Sequence, residues 1–378
     1  MKEKILLTTV FSGYNYGSSL QALAGKTILQ SLGYKCQIVA LKSLINGRDI
    51  RLRKLFTILY RSLAVKEVGG SNSLKTYKSS YAKEMVGDSV VRFKNFTEDY
   101  ICPQYHSWGS LKNESYNSVA CVAGSDQIWN SSTLYVDPLY YLRFAPQEKR
   151  IAFAPSFGRD FIPDYNKDKM SKWISEFAHI SVREDSGVRL IKELTERDAV
   201  HLIDPTLMVD GDAWKRILGV KDKKDDYILA YFLDKPSDKA KNDIARLKDE
   251  FNCKVIAIPY QFDDMSYCDE VVPSGPIEFL DLINNAKCVL TDSFHGTAFS
   301  INMHTPFYVY GRAYGSAHSQ NSRIESILKK MKMTERYEPI DAVGDNLAID
   351  FDYSESVLAA ERQKAKSYVA NAINAIKS

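Results

Sequence analysis

A histidine placed one turn after a buried strand, with a carboxylate close by, is an arrangement for proton transfer. The stretch Cys288-Val-Leu-Thr-Asp-Ser-Phe-His-Gly-Thr-Ala-Phe-Ser-Ile-Asn-Met303 has that form. Its apolar start, Cys288 to Thr291, predicts a buried strand; Asp292, Ser293 and His295 make a tight polar turn, and Gly296 opens a short helix. Imidazole is the side chain whose ordinary pKa lets it both give and take a proton near neutral pH. In an open α/β sheet ligands sit outside the carboxyl ends of the strands, where helix N-termini offer free N–H groups and partial positive charge to an anion. His295 is therefore expected to act on a ligand at that edge. Asp292 is expected to orient its ring, and Gly296 to let the backbone approach closely. The alternative for a lone histidine is a strand cap bonded to a neighbouring carbonyl.

Elsewhere the chain repeats this pattern of polar residues just after an apolar run. Lys4 to Val10 reads as a strand, Phe11 to Gly17 as a loop, and Ser18 to Leu32 as a helix, with Leu20, Leu23, Ala24, Ile28 and Leu32 at helical spacing. Ser18 or Ser19 is the expected cap. Gly33 ends the helix and Tyr34 to Leu41 is the next strand, so the first loop of a βαβ unit points at a ligand crevice. The spacing Gly13-x-x-x-Gly17 is not the dinucleotide pattern and no phosphate-loop lysine follows it, which gives little support to a nicotinamide or ATP site. Val119 to Ala123 runs into Gly124-Ser-Asp-Gln-Ile-Trp-Asn130, and Arg150 to Ala154 opens on Pro155-Ser-Phe-Gly158. His179 to Val182 ends on Arg183-Glu-Asp-Ser-Gly187, and Val200 to Ile203 ends on Asp204-Pro-Thr206. Strands with polar ends alternating with helices predict a parallel α/β sheet. Trp214 to Asp226, dense in Lys and Asp, is the candidate linker to a second α/β unit: strand Tyr227 to Leu233, helix Ser237 to Phe251, strand Lys254 to Ile258, helix Ile277 to Ala286, the His295 stretch, and strand Phe307 to Tyr310. A polar loop from Gly311 to Arg323 then enters a helix ending near Met333, and Tyr353 to Ile376 is a long terminal helix.

The chain of 378 residues suits two domains, and its 45% hydrophobic and 26% charged residues are those of a soluble globular protein. No apolar run is long enough for a membrane span, and the N-terminal apolar run is too short for a signal peptide, so the cytoplasm is the expected compartment. Cys36, Cys121, Cys253 and Cys288 lie in apolar runs, with no metal-knuckle or redox spacing among the six cysteines; they are expected reduced and mostly buried. A formal net charge of +3 argues against a nucleic-acid partner. Residues 46–83, however, carry nine Lys/Arg against Asp49 and Glu67, leaving the rest of the chain net acidic. Within that segment Leu52, Leu55, Phe56, Leu59 and Leu63 form one apolar helical face, with Arg51, Arg53, Lys54 and Arg61 mostly off it. The apolar face is expected to pack on the first domain. The alternative is peripheral contact of residues 51–63 with an anionic membrane at its cytoplasmic face. A polar loop over 65–80 and a helix over Tyr81 to Tyr100 follow.

Taken in order, Asn15-Tyr16-Gly17 with the Leu-Gln-Ala helix after it, Gly124-Ser-Asp-Gln-Ile-Trp-Asn130, Ser181-Val-Arg-Glu184, Asp204-Pro205 and Asp292-Ser-Phe-His-Gly296 resemble the polysaccharide pyruvyl transferase family from about Lys4 to Ile327. The resemblance implies two Rossmann-like domains facing a cleft, as in GT-B glycosyltransferases, with the C-terminal helix crossing back to the first domain. The domains would be 1–206, with a basic helical insertion at about 46–118, then 207–352 and the helix 353–378. It further implies transfer of the pyruvyl group of phosphoenolpyruvate to two hydroxyls of a sugar acceptor, giving a cyclic ketal and phosphate, with no cofactor or metal besides the donor. On that reading His295 is the general acid and Asp126 takes a hydroxyl proton, unless Asp126 is only a helix cap. Arg183 and Arg323, with Arg312 a weaker third, hold the donor's carboxylate and phosphate; Asn15, Tyr16, Gly17, Ser125, Ser156, Asp292, Ser293 and Gly296 line the substrates. A surface ion pair is the competing expectation for the arginines, the stronger one for Arg312 and the weaker for Arg183. Many family members have Arg-Leu-His where this chain has Ser293-Phe294-His295, which removes a cation next to the donor. Either Arg183 and Arg323 suffice, or the donor is bound differently, or activity is lost. Two other function classes stay open: a GT-B glycosyltransferase using a sugar nucleotide, against which stands the lack of a recognisable base-and-ribose site, and a non-catalytic family member.

Overall fold

In the computed structural model the described residues are 3–42, 44–45, 48–49, 51–64, 87–223, 225–259, 265–312, 321–339 and 347–378. The expected loop over 65–80, the first residues of the helix expected from Tyr81 and most of the Gly311 to Arg323 loop lie outside them. Among the described residues twelve strands build the two parallel sheets: β1 (Lys4–Thr8), β2 (Lys35–Leu41), β3 (Gln104–His106), β4 (Ala120–Ala123), β5 (Arg150–Ala152), β6 (His179–Val182), β7 (Val200–His201), β8 (Tyr227–Tyr231), β9 (Lys254–Ala257), β10 (Glu270–Val271), β11 (Cys288–Thr291) and β12 (Phe307–Val309). The first sheet has the order β3-β2-β1-β4-β5-β6-β7, and the second β10-β9-β8-β11-β12. Every pairing in them is parallel, with Leu6 facing both Gln37 and Cys121, and Leu229 facing both Ile256 and Val289.

The central strands are continuous apolar runs because both of their faces are covered. Ile5, Leu6, Leu7, Ile228, Leu229, Val289 and Leu290 are fully buried. Two of the edge strands, β3 and β10, were not foreseen: they are short and largely exposed, and so carry no apolar run to betray them. The first helix, Tyr16–Ser31, starts two residues earlier than expected, because Asn15 and not Ser18 caps it by accepting from Ser18 N at 3.0 Å. The Asp238–Phe251 helix is capped by Ser237, as its sequence implies. In the first unit Trp129 stacks on Tyr141 at 5.5 Å and meets Phe177 edge-on at 5.3 Å, fixing the segment after β4 in the core. All six cysteines are free; Cys36, Cys121, Cys253 and Cys288 are buried, and burial pushes the Cys36 and Cys121 thiols up to about 12.

The chain forms two compact units, residues 1–83, 97–208 and 363–378 in the first and 84–96 and 209–362 in the second. Each is a Rossmann-like α/β unit with a parallel sheet. The insertion expected wholly in the first domain divides: the helix Gly87–Phe96 belongs to the second unit, where Arg92 pairs with Glu278. The expected linker is also corrected. The junction falls at Met208 and Val209, and Trp214 lies in a capped helix, Gly211–Leu218, buried against Phe299 at 5.6 Å. The terminal helix Asp352–Lys377 divides between the units: Arg362 in the second donates to Asn302 Oδ1 at 2.9 Å, and Tyr368 in the first donates its hydroxyl to the Ala152 carbonyl at 2.9 Å. The helix Leu52–Ala64 reverses expectation, since its apolar face points outward while Arg61, and Arg51 just before the helix, bond to residues of the first unit. Among the described residues no helix is long and apolar enough to cross a membrane.

Candidate active site

In the first sheet the strand order reverses between β1 and β4, and in the second between β8 and β11. Helices leave the two sides of such a switch point in opposite directions and open a crevice there. All strands of a sheet run parallel, so the loops that follow β1 and β4, or β8 and β11, border that crevice. The Asn15 and Asp126 segments follow β1 and β4, and the Asp292 segment follows β11.

At the first switch point Ser18 donates its hydroxyl to Asp126 Oδ2, and Asp126 Oδ1 accepts from Gln127 N at 2.8 Å. Asp126 thus ties the first turn of the Tyr16–Ser31 helix to the Gly124–Asn130 segment. It has φ 65° and ψ −176°, a backbone region that only glycine occupies without strain, costing roughly 1–3 kcal/mol. Such strain persists where the surroundings hold it and is most often met at working sites. Asp126 carbonyl oxygen accepts from Ser156 N at 2.9 Å, and the Ser156 hydroxyl donates to Glu184. Arg183, fully buried, donates from Nη1 to Asp204 Oδ2 at 2.5 Å and lies 3.4 Å from Glu184 Oε1. Burial alone would lower the Arg183 pKa, but Asp204, Glu184 and Asp126 outweigh it and raise it. Four successive strand ends are thereby joined in one polar network of three carboxylates around one guanidinium.

The second switch point is built differently. Asp292 Oδ1 accepts from Leu233 N at 2.6 Å and Oδ2 from Asp234 N at 2.8 Å, so the carboxylate pins the loop after β8 to the end of β11. Arg312 Nε donates to the Asp292 carbonyl at 3.0 Å and stands 3.3 Å from its Oδ2. Burial pushes the Asp292 carboxyl up to about 6, against the opposing pull of Arg312 and of the Leu233 and Asp234 N–H groups. Ser293 caps the helix Phe294–Asn302 by accepting from Gly296 N at 3.3 Å. His295 is half-buried in the first turn of that helix, its ring edge-on to Phe294 at 5.2 Å. Arg323, in the first turn of the helix Asn321–Met331, lies over the Phe294 ring at 5.7 Å. A histidine and two guanidinium groups therefore gather on the Asp292–His295 turn, where the helix N-terminus adds partial positive charge.

The structure brings Asp292, Ser293, His295, Arg312 and Arg323 together in one unit, and Asn15, Ser125, Asp126, Ser156 and Arg183 in the other. It corrects several readings of individual residues. Asp292 holds the 233–234 backbone and Arg312, so its carboxylate serves the backbone and a guanidinium. Gly296 faces the strand, for a Cβ there would stand 2.5 Å from Thr291 Oγ1, so close packing and not ligand approach demands the glycine. Arg312 is no surface ion pair, since its side chain is buried against Asp292. Tyr16 and Gly17 are buried in the first helical turn, with the Tyr16 ring in the core. Ser125 is buried; its carbonyl accepts from Thr9 Oγ1 at 3.1 Å, and its hydroxyl has no hydrogen-bond partner among the described residues. Gln21 was overlooked: buried in an apolar helix, it donates to Thr9 Oγ1, Val10 O and Ser18 O at 2.7–3.0 Å and shapes the loop after β1. A glutamine among leucines and alanines was the available signal.

The model of the polysaccharide pyruvyl transferase family matches residues 15–314 of this chain. No curated protein sequence matches it. Among solved structures, a UDP-GlcNAc 2-epimerase from Neisseria meningitidis, bound to UDP-GlcNAc, is similar at 12% identity over 98% of this chain and 97% of that one, with a TM-score of 0.45. The glycosyltransferase SnogD from Streptomyces nogalater is similar at 12% identity over 98% of this chain and all of that one, with a TM-score of 0.39. An Escherichia coli heptosyltransferase is similar at 14% identity over 83% and 90%, with a TM-score of 0.34.

Proposed function

Since the chain belongs to the polysaccharide pyruvyl transferase family, we propose that it moves the pyruvyl group of phosphoenolpyruvate onto two hydroxyls of a sugar in a polysaccharide or its precursor, as a cyclic ketal. The donor carries a carboxylate, a phosphate and a carbon–carbon double bond. His295 protonates the methylene carbon, which makes the neighbouring carbon electrophilic. One acceptor hydroxyl adds to that carbon and loses its proton, with Asp126 as the base. The carbon–oxygen bond to phosphate breaks, its electron pair leaving on phosphate, and the second hydroxyl closes the ring as it loses its own proton.

The observation that carries this reading is the gathering of Arg312, Arg323 and His295 on the turn after β11. We assign the donor's anionic groups to the two arginines and to the helix N-terminus. Ser293 stands where the family has arginine and serves as the cap, while Arg312 and Arg323 bring positive charge to the residues on either side of it. Arg183, enclosed by its own carboxylates, is assigned a positioning role for Asp126 and Glu184 in place of donor binding.

Thermal unfolding of the purified chain with each donor tests the assignment, because a ligand bound only to the folded state raises the melting temperature by mass action. Phosphoenolpyruvate should raise it, and UDP-sugars should not. Stabilisation by UDP-sugars alone would move the chain to sugar-nucleotide chemistry, and stabilisation by neither would make it a non-catalytic member. Phosphate release across a panel of galactosides and mannosides then reads the turnover itself.

A further inference from the structure

The helix Leu52–Ala64 is anchored by its cations and leaves its apolar side uncovered. Arg51 Nη1 donates to Asp137 Oδ1 at 3.0 Å, Arg61 Nη1 to Asn166 Oδ1 at 2.6 Å, and Arg61 Nη2 to the Tyr165 carbonyl at 3.0 Å. The Lys54 ammonium lies 5.9 Å from the Tyr135 ring centre. On the other side Leu52, Phe56, Tyr60 and Leu63 are 70%, 68%, 72% and 77% exposed, with Leu55 and Leu59 exposed between them. Scattered exposed apolar residues are ordinary; a continuous row of six large ones over three helical turns marks a surface that meets something else.

We propose that this face docks on an anionic lipid bilayer, with the helix lying in the plane of the interface. The charge around it chooses that occupant. The helix has no acidic residue, Arg53 is exposed on it, and Lys54 and Lys169 stand together over Tyr135. Their nearby carboxylate, Asp137, is already held by Arg51. Burial lowers the Lys169 pKa, and repulsion from Arg61 and Arg53 lowers it further, so positive charge is in excess here. The surrounding segment 46–83 has nine basic residues against two acids. Apolar side chains in the acyl boundary with arginine and lysine at the headgroups is how an interfacial helix binds. The apolar face of a second copy would not account for the surplus of cations. Behind the helix a cavity of about 300 Å³ is lined by Lys54, Ile58, Gln127, Asn130 and Tyr135. A docked bilayer would therefore lie beside the Gly124–Asn130 segment, a position suited to a lipid-linked sugar.

The inference stands apart from the donor chemistry, and its test uses neither donor nor acceptor. The purified full chain is sedimented with vesicles of phosphatidylcholine alone and of phosphatidylcholine containing phosphatidylglycerol, at low and at high salt. Binding is expected to the anionic vesicles at low salt, lost at high salt, and absent with the neutral ones. The outward double substitution Phe56→Gln with Leu63→Gln should weaken it at least about tenfold with the melting temperature unchanged. Should that variant misfold, Arg53→Gln reads the charge alone, with about a fivefold loss. No binding to anionic vesicles at low salt overturns the proposal, as does equal binding to neutral ones. A concentration-dependent dimer of the full chain that Phe56→Gln with Leu63→Gln dissolves would assign the face to a second copy and overturn it too.

Discussion

At the ends of β4 to β7 three carboxylates, Asp126, Glu184 and Asp204, surround the single guanidinium of Arg183. At the end of β11 Arg312 pairs with Asp292, Arg323 and His295 both meet the Phe294 ring, and Asp234 is near Asp292. Each region has an Asp at the switch point of its own sheet, and in both that Asp holds two loops together. Their balance of charge differs. The first is acidic and closed upon itself, which suits a base and the hydroxyls of a neutral sugar. The second has cations whose carboxylate is half-way to neutrality near pH 6, which suits an anion. One architecture thus carries two opposite balances of charge, set by which residues follow the strand ends.

The largest test of this contrast is Arg183→Met. If the arginine is the keystone of the acidic network, its loss leaves Asp204 buried and uncompensated, and unfolding should become easier by roughly 3–5 kcal/mol in denaturant titration. A variant as stable as the parent, with weakened donor binding, would return Arg183 to the role of anion clamp. Next comes His295→Gln, which keeps volume and some hydrogen bonding but removes the transferable proton. Turnover should fall about a hundredfold or more, with donor binding and melting temperature little changed. Unfolding of this variant alongside full activity of its soluble fraction would make His295 a structural cap.

The smallest and most specific effect is that of Asp292 on stability against pH. Its folded pKa, about 6, lies above the ordinary carboxylate value, so the folded state holds the proton more tightly than the unfolded one. The stabilising contribution of the protonated carboxyl is complete below about pH 4 and is lost as pH rises through 6, amounting to about 3 kcal/mol. Parent and Asp292→Asn should therefore diverge across this window when unfolded by denaturant. A carboxyl resonance of Asp292 titrating near 4 would remove the distinction between the two switch points.

Much of this was legible in the chain. A strand buried on both faces must be an unbroken apolar run, so β1, β4, β8 and β11 showed themselves within a residue or two, and the polar residues after them were marked as candidates. What a side chain does once it is there was less legible. Arg312 and Arg183 are both arginines near strand ends; only packing shows that each is buried against carboxylates. Gly296 follows a histidine, which invites a reading about ligands, yet the Thr291 side chain decides it.

By itself the sequence determined the local pieces: which runs become strands, which turns carry His295, Asp126 and Asp292, and that Leu52 to Leu63 is helical with one apolar face. These follow from backbone geometry and from periodicity within a dozen residues. Tertiary structure alone decided the order of the strands, because Leu6 finds Cys121 and Leu229 finds Val289 across long stretches of chain, and no local pattern encodes those pairings. Strand order in turn put the marked loops at the switch points. It likewise decided that the Leu52–Ala64 helix turns its leucines outward. Periodicity fixes which residues share a face, but the partners available to Arg51 and Arg61, namely Asp137 and Asn166, determine which face is held down.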